Sequence, residues 1–351
     1  MSYVVLVAGG TGGHINAAIA VGEALVSEGR EVHYITGRRS LDYQLFKGYK
    51  VSHLNSRPLR TTNPIQLFQN IVMNLLSFFS VLVKFIKYRP KVVLGAGGYV
   101  CGPTLLAGFL LRIPVFIIEQ NAVMGLTNKI LGWISTSIFV HFSKTLGLSK
   151  RLLKKVRVVG NPTRKSIRPV QPKSFDGELK VLVFGGSLGA LQINKVIWDI
   201  LKEPSVEKLI IHHQLGGDVS SPEISTTVHY VPMNYIDNMQ KEYEWCDVII
   251  SRAGASTVSE LAIIKKPVLI FPYPAATDNH QVYNARIFQE ESDFTVEILD
   301  PKLDHDSCVT ASQKFLFKAS RQELKYSQIP SHGNHTCDEI LREINSYVGM
   351  A

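Results

Sequence analysis

His14 closes the turn Gly9-Gly10-Thr11-Gly12-Gly13-His14, directly after the apolar run Val4–Ala8. Imidazole titrates near neutrality, so a histidine here is a candidate general base toward an incoming hydroxyl. It could equally cap the helix or donate to a phosphate, and the residues alone leave these roles open. A second turn, Gly185-Gly186-Ser187-Leu188-Gly189-Ala190, follows Val181-Leu182-Val183-Phe184 nearly half a chain later. A strand that runs through glycines into a helix leaves unpaired backbone N–H groups at the positive end of the helix dipole, which suits a phosphate. Two such turns in two domain-sized halves point to two nucleotide-fold domains facing one cleft.

Other candidates fall at the ends of further apolar runs. Gly95-Ala96-Gly97-Gly98-Tyr99 follows Val92–Leu94, and Glu119-Gln120-Asn121 follows Val115–Ile118. Both would lie at the carboxyl edge of a parallel sheet, where open α/β folds bind ligands. Glu119 is either a charged site residue or a buried acceptor, and taken alone it favours the structural role. In the second half, Ser251–Leu261 follows a strand and opens a helix. Its small residues let a ligand approach the backbone, and Ser256, Thr257 and Ser259 offer hydroxyls. Glu260 could accept from both ribose hydroxyls of a nucleotide, or simply complement a helix dipole. The proline-broken stretch Phe271–Ala285 is dense in hydrogen-bonding side chains, as a sugar site needs. The first turn is not G-x-G-x-x-G, and Thr36-Gly37-Arg38-Arg39 stands where a dinucleotide site would place an acid. These two features argue against an NAD enzyme.

The elements that must hold these residues are legible as alternation. Short β-branched runs at Val4–Ala8, Val32–Ile35, Val92–Leu94, Val115–Ile118, Ile138–Val140 and Val156–Val159 alternate with helical stretches. The pattern resumes at Val181–Phe184, Leu209–His212, Val228–Val231, Val248–Ser251 and Val268–Phe271. This is the signature of parallel sheets with helical crossovers. Gly160-Asn161-Pro162 and the prolines that follow place a linker at 162–178, between domains at 1–161 and 179–351. Beyond Asp300 the pattern weakens, and no helix is assigned.

The four cysteines are scattered, which argues against a disulfide framework or zinc site and favours a reducing cytoplasm. The N-terminus reads as a strand rather than a signal peptide. Residues 1–161 carry 19 Lys and Arg against 5 Asp and Glu, a charge of +14, and the remainder carries −5, for a net +9. No acid stands between Asp42 and Glu119. That asymmetry points to a polyanionic partner, nucleic acid or an anionic membrane. The basic half lacks helix-turn-helix or aromatic-interleaved signals, which disfavours nucleic acid.

One helix bears on the membrane alternative. Asn63-Pro64 predicts a cap and first helical position, and the pattern runs to Tyr88 before Pro90. Gln66, Asn70, Ser77, Ser80, Lys84 and Lys87 form one polar stripe; most other positions are apolar, including Phe68, Ile71, Leu75, Phe79 and Leu82. The apolar stretch reads as too short and too polar to span a bilayer. It fits a core helix on the sheet, an interfacial patch beside Lys84, Lys87, Arg89 and Lys91, or both.

GGTGGH, GAGGYVCGP, EQNAVMGLTN, GNPTR, GGSLGA, SRAGASTVSELA and HQVYNA, in this order and spacing, closely resemble the MurG family over residues 1 to about 288. Those enzymes transfer N-acetylglucosamine from UDP-GlcNAc to undecaprenyl-diphospho-MurNAc-pentapeptide in peptidoglycan synthesis. The resemblance implies a GT-B glycosyltransferase with two Rossmann-like doubly wound α/β domains, inversion at the sugar carbon, and no required cofactor or metal. It implies that the turn around Ser187 holds the diphosphate, Ile236 meets uracil, and Ala255, Ser256, Thr257, Val258, Ser259 and Glu260 hold the nucleotide, with Glu260 on the ribose. Gln281 would read the sugar hydroxyls, and Asn121 and Arg164 would reach the donor. Thr11, Gly12 and Gly13 match the donor-proximal turn, and His14 the proposed base. Tyr99 and Glu119 are acceptor or structural candidates, and Phe68, Ile71, Leu75, Phe79, Leu82, Lys84 and Lys87 match the membrane patch. The implied partners are UDP-GlcNAc, the lipid-linked muramoyl-pentapeptide, an anionic membrane and other cell-wall and division proteins, at the cytoplasmic face of the inner membrane. Ala17, Asn16, Ile118 and Arg57 depart from the family pattern, as does the chain beyond Asp293; they bear on the acceptor and on domain docking more than on the donor. The alternatives are a related transferase acting on another lipid, such as diacylglycerol, and a non-catalytic UDP-sugar-binding scaffold. Such folds often send a last helix back to the first domain, and the resemblance implies the same arrangement here.

Overall fold

The computed structural model describes residues 3–171, 173–186, 189–217, 219–223, 227–327 and 335–348. The chain divides into two compact units, Met1–Arg164 with Asn334–Ala351, and Lys165–Gly333. In the first, seven parallel strands form one sheet: β1 (Tyr3–Val7), β2 (Glu31–Thr36), β3 (Val51–His53), β4 (Val92–Gly95), β5 (Val115–Glu119), β6 (Ser137–Val140) and β7 (Val156–Val158). Parallel pairing requires crossovers. Here they are α1 (Gly12–Ser27), α2 (Ser40–Leu45), α3 (Pro64–Tyr88), α4 (Cys101–Leu110), α5 (Leu126–Leu131) and α6 (Lys150–Leu153).

Both faces of this sheet are covered, which is why its strands are continuously apolar. Val4 and Leu6 pack with Ile15, Ala18 and Val21 of α1 on one face. Val5 and Val7, pointing the other way, pack with Val81 and Phe85 of α3 and Leu105 of α4.

The second unit contains β8 (Leu179–Phe184), β9 (Leu209–Gln214), β10 (His229–Met233), β11 (Val248–Ser251), β12 (Val268–Ile270) and β13 (Val296–Ile298). Its helices are α7 (Leu191–Lys202), α8 (Met239–Trp245), α9 (Ala255–Ile264), α10 (His280–Glu291) and α11 (His305–Ser320). The spatial orders are β3-β2-β1-β4-β5-β6-β7 and β10-β9-β8-β11-β12-β13, the same winding twice. Strand order reverses beside β1 and beside β8, and these switch points open crevices at the strand ends. The two glycine turns leave those two strands.

The last helix, α12 (Thr336–Val348), belongs to the first unit. Its Ile340, Leu341 and Ile344 join the core on the α1 face. Thr336 Oγ1 donates to the Val159 carbonyl at 2.8 Å, and Ser137 Oγ donates to Glu343 at 2.8 Å.

Helix α3 begins and ends where its caps require. Asn63 Oδ1 accepts from the Ile65 and Gln66 N–H groups at 3.0 and 3.2 Å, Pro64 takes the first position, and Arg89 closes the helix in the left-handed region. Its burial follows the polar and apolar faces only in part. Asn70 and Ser77, from the polar stripe, are buried. Asn70 Nδ2 donates to the Pro58 carbonyl at 2.9 Å, and Asn74 exchanges bonds with the Arg57 carbonyl and N–H at 2.8 and 3.2 Å. These side chains satisfy the backbone of the β3–α3 loop, which no strand partners. Much of the apolar side faces outward: Ile65, Phe68, Ile71, Leu75, Leu76, Phe79, Val83 and Ile86 are all exposed. Only the C-terminal half contributes to the core, through Val81 and Phe85. Leu82 leans there as well, so it leaves the expected exposed patch. The expectation that the segment is too short and polar to span is also corrected. It is 25 residues long, and an 18-residue stretch of it has a mean hydropathy of 1.6, which meets the length and composition of a membrane span. In the fold it instead bridges β3 to β4 along the sheet.

Candidate active site

The first glycine turn is held by three interlocked loops at the carboxyl edge of β1, β2 and β4. Thr11 caps α1, its Oγ1 accepting from the His14 N–H at 3.4 Å. Gly12 and Gly13 lie in the first turn of that helix, and this turn carries no acid. His14 Nδ1 lies 3.3 Å from the Gly9 carbonyl. A carbonyl only accepts, so this contact assigns the proton to Nδ1 and leaves the lone pair on Nε2. Gly98 lies against the Gly9 carbonyl, where a Cβ would collide, and its φ of +91° belongs to the region glycine favours. Tyr99 is half-buried beside Gly10 and Gly37, and burial pushes its phenol pKa up.

Asp42, in α2, is fully buried. Its Oδ1 accepts from the Gly10 N–H at 3.3 Å and its Oδ2 from the Arg39 N–H at 2.9 Å. It ties the β2–α2 loop to the glycine turn. The residues had offered no sign of this beyond an aspartate three positions after Arg39.

Glu119 is equally inward. Oε1 accepts from the Asn121 N–H at 3.0 Å and Asn121 Nδ2 at 3.3 Å; Oε2 accepts from the Gly125 N–H and Asn128 Nδ2, both at 2.9 Å. Four donors on one buried carboxylate identify a loop-shaping residue, and they orient Asn121. Nearby His141, at the end of β6, is wholly enclosed, and burial lowers its pKa to about 4.

In the second unit Ser187 lies outside the described residues, but the flanks of its turn are defined. Gly189 has a φ of +73°, and a Cβ there would strike the Leu215 carbonyl. Gln214, buried at the end of β9, donates from Nε2 to the Gly186 carbonyl at 2.8 Å and accepts at Oε1 from the Ile236 N–H at 3.2 Å. One side chain thereby links the turn to the residue expected at uracil. That role is missed by a reading confined to strand ends.

Helix α9 opens at Gly254 with no side-chain cap and no acid in its first turn, so Ala255, Ser256 and Thr257 present backbone N–H groups at its positive end. Val258 turns into the core, and Ser259 Oγ bonds back to the Ala255 carbonyl at 2.7 Å. The Ser259 hydroxyl is therefore not a ligand donor in this arrangement. Glu260 is mostly buried, and its Oε2 accepts from Tyr243 Oη at 2.9 Å, an engagement beyond dipole complementation. Gln281 is the second residue of α10, and its Oε1 accepts from the Ala253 and Tyr273 N–H groups at 3.3 and 2.9 Å. Its carbonyl oxygen is thus fixed, and Nε2 is the group left to donate. Arg252 Nη1 reaches Gln192 Oε1 at 3.0 Å and the Phe271 carbonyl at 3.1 Å, bracing the loop before Tyr273. Asn121 and Arg164 belong to the first unit.

Two sheets of this winding, each with a glycine turn at its switch point, define the GT-B class of nucleotide-sugar enzyme. The family profiles agree: the glycosyltransferase family 28 N-terminal domain matches residues 4–140 and the C-terminal domain residues 180–328. The UDP-N-acetylglucosamine--N-acetylmuramyl-(pentapeptide) pyrophosphoryl-undecaprenol N-acetylglucosamine transferase of Shewanella denitrificans is 33% identical over 296 residues, 81% of this chain and 80% of that protein. The protein of the same name from Francisella philomiragia subsp. philomiragia is 36% identical over 303 residues, 81% of each chain. The crystal structure of Acinetobacter baumannii MurG matches with a TM-score of 0.77 and 26% identity, over 99% of this chain and 100% of that one. The chain belongs to the MurG family of glycosyltransferases. Neisseria meningitidis UDP-GlcNAc 2-epimerase bound to UDP-GlcNAc, at 16% identity and a TM-score of 0.61 over 98% of this chain and 100% of that one, shares the fold alone.

Proposed function

We propose that this chain transfers N-acetylglucosamine from UDP-GlcNAc to the C4 hydroxyl of the muramoyl sugar in undecaprenyl-diphospho-MurNAc-pentapeptide, the step from lipid I to lipid II in peptidoglycan synthesis. The observation that carries this reading is 33–36% identity to transferases of that name across about four-fifths of both chains. His14 Nε2 takes the proton as the C4 oxygen attacks the anomeric carbon; the bond from that carbon to the diphosphate oxygen breaks, and UDP leaves with inversion. The negative charge developing on UDP is met by the N–H groups around Ser187, by the start of α9 and by Arg164, which is electrostatic stabilisation that requires no metal. Glu260 accepts from the ribose, Ile236 packs on uracil, and Gln281 Nε2 donates to the sugar.

The acceptor is lipid-linked, and the outward face of α3 fits its membrane. Phe68, Ile71, Leu75 and Phe79 of α3 are exposed, as are Phe109 and Leu110 of the neighbouring α4, and Lys84, Lys87 and Arg89 are exposed at the C-terminal end of α3. An apolar face rimmed by cations is the pattern of interfacial binding to an anionic leaflet. This reading makes the protein peripheral at the cytoplasmic face of the inner membrane. Transfer of labelled GlcNAc to a short-chain lipid I analogue, compared with diacylglycerol, tests the reaction; binding of UDP-GlcNAc without transfer would leave only a sugar-nucleotide-binding scaffold.

A further inference from the structure

We propose that Arg39 binds the diphosphate of the lipid-linked acceptor, an inference that rests on the acceptor reading above. The two acids that bound the acid-free stretch of the first unit are both spent internally. Asp42 accepts from the Gly10 and Arg39 N–H groups, and Glu119 accepts from four donors of its own loop.

Arg39 is exposed at that edge and is nonetheless held in place. Its Nη1 donates to the Gly10 carbonyl at 3.3 Å, and its guanidinium carbon lies 5.0 Å from the centroid of the Tyr99 ring. Its backbone is fixed in turn by Asp42. Among the described residues no carboxylate pairs with this guanidinium. This guanidinium is held by the Tyr99 ring and the Gly10 carbonyl, keeps donors to spare, and makes no ion pair with neighbouring Asp42, whose oxygens take backbone N–H groups; it is placed to receive an anion. A guanidinium's planar fork matches phosphate oxygens in two-point contact. The Gly10 turn that it touches leads directly to His14, so a diphosphate held there would lie beside the proposed base.

The test is steady-state transfer by the full chain with UDP-GlcNAc and short-chain lipid I, using wild type, Arg39→Ala, Arg39→Lys and Arg38→Ala. Arg39→Ala is expected to raise acceptor KM about tenfold or more, as loss of hydrogen bonds to a charged partner predicts. The UDP-GlcNAc KM and binding to anionic vesicles should stay within about twofold. Arg39→Lys should recover part of the loss, since it keeps the charge but not the planar fork. Arg38→Ala should do less harm than Arg39→Ala. An unmoved acceptor KM, a donor KM that rises equally, a loss that tracks vesicle binding, or an equal effect from Arg38→Ala would overturn the assignment. Calorimetric binding of farnesyl diphosphate to wild type and Arg39→Ala separates this inference from the reaction itself. Equal affinities refute Arg39 even if transfer occurs, and weaker binding by the variant supports it even if transfer fails.

Discussion

Replacing Glu119 by glutamine separates a loop-shaping carboxylate from a charged site residue. The substitution keeps the shape and exchanges one acceptor oxygen for an NH2 group. Each oxygen serves two donors, Oε1 the two of Asn121 and Oε2 those of Gly125 and Asn128. Whichever oxygen is lost, two donors then face another donor. Hydrogen bonds to a charged group are worth about 1.5–3 kcal/mol each, so the variant should lose about 3 kcal/mol or more. That is a large part of the roughly 5–15 kcal/mol that stabilises a typical domain. Urea unfolding should show the loss as a lower midpoint, and UDP-GlcNAc KM should rise because Asn121 is no longer oriented. A variant as stable as wild type, with unchanged donor KM and only a reduced kcat, would refute the structural role.

Phe79→Ser with Val83→Ser should release the protein from anionic vesicles without lowering its unfolding midpoint, since both side chains are more than half exposed; retained pelleting would remove α3 from the membrane surface. Phe85→Ala, on the buried side of the same helix, should instead cost about 3–5 kcal/mol in urea unfolding. Burial holds His141 neutral down to about pH 4, against 6.5 unfolded, so the unfolded chain binds the extra proton between these values. Stability should therefore fall as pH drops from about 6.5 to 4, by about 3 kcal/mol from this residue, and His141→Gln should flatten that slope in pH-dependent unfolding. His14→Ala should lower kcat by about 100-fold or more while UDP-GlcNAc KM stays near normal; turnover surviving within a few-fold would remove it as the base.

Much of this fold can be read locally. Asn63-Pro64 and Arg89-Pro90 mark the ends of α3, because capping and proline chemistry act within a turn of the residues that carry them. Strands β3 and β13 escape notice because Val51-Ser52-His53 and Val296-Glu297-Ile298 each carry a polar residue at the centre, which leaves no continuous apolar run to detect. The direction in which α3 faces is not a local property. Asn70 and Asn74 face inward, where they donate to the carbonyls of Pro58 and Arg57, and those lie on a loop that the helix pattern does not mention. The candidate site residues show the same division. Gly9–His14 is recognisable as a motif, whereas Asp42, Gln214 and Tyr243 act through contacts 17 to 32 residues away in sequence. Glu119 needed its four donors in view before its role could be decided. The closing helix α12 is not assigned from the weak pattern beyond Asp300, and the sheet face that its Ile340, Leu341 and Ile344 cover is not a local property.

The most direct test of the central claim is transfer of radiolabelled GlcNAc from UDP-GlcNAc by the purified chain to a short-chain lipid I analogue, with the product linkage determined. The account predicts a lipid-linked disaccharide joined through the C4 hydroxyl with inverted anomeric configuration. Bound UDP-GlcNAc without label in the lipid, or label transferred to diacylglycerol instead, would contradict it.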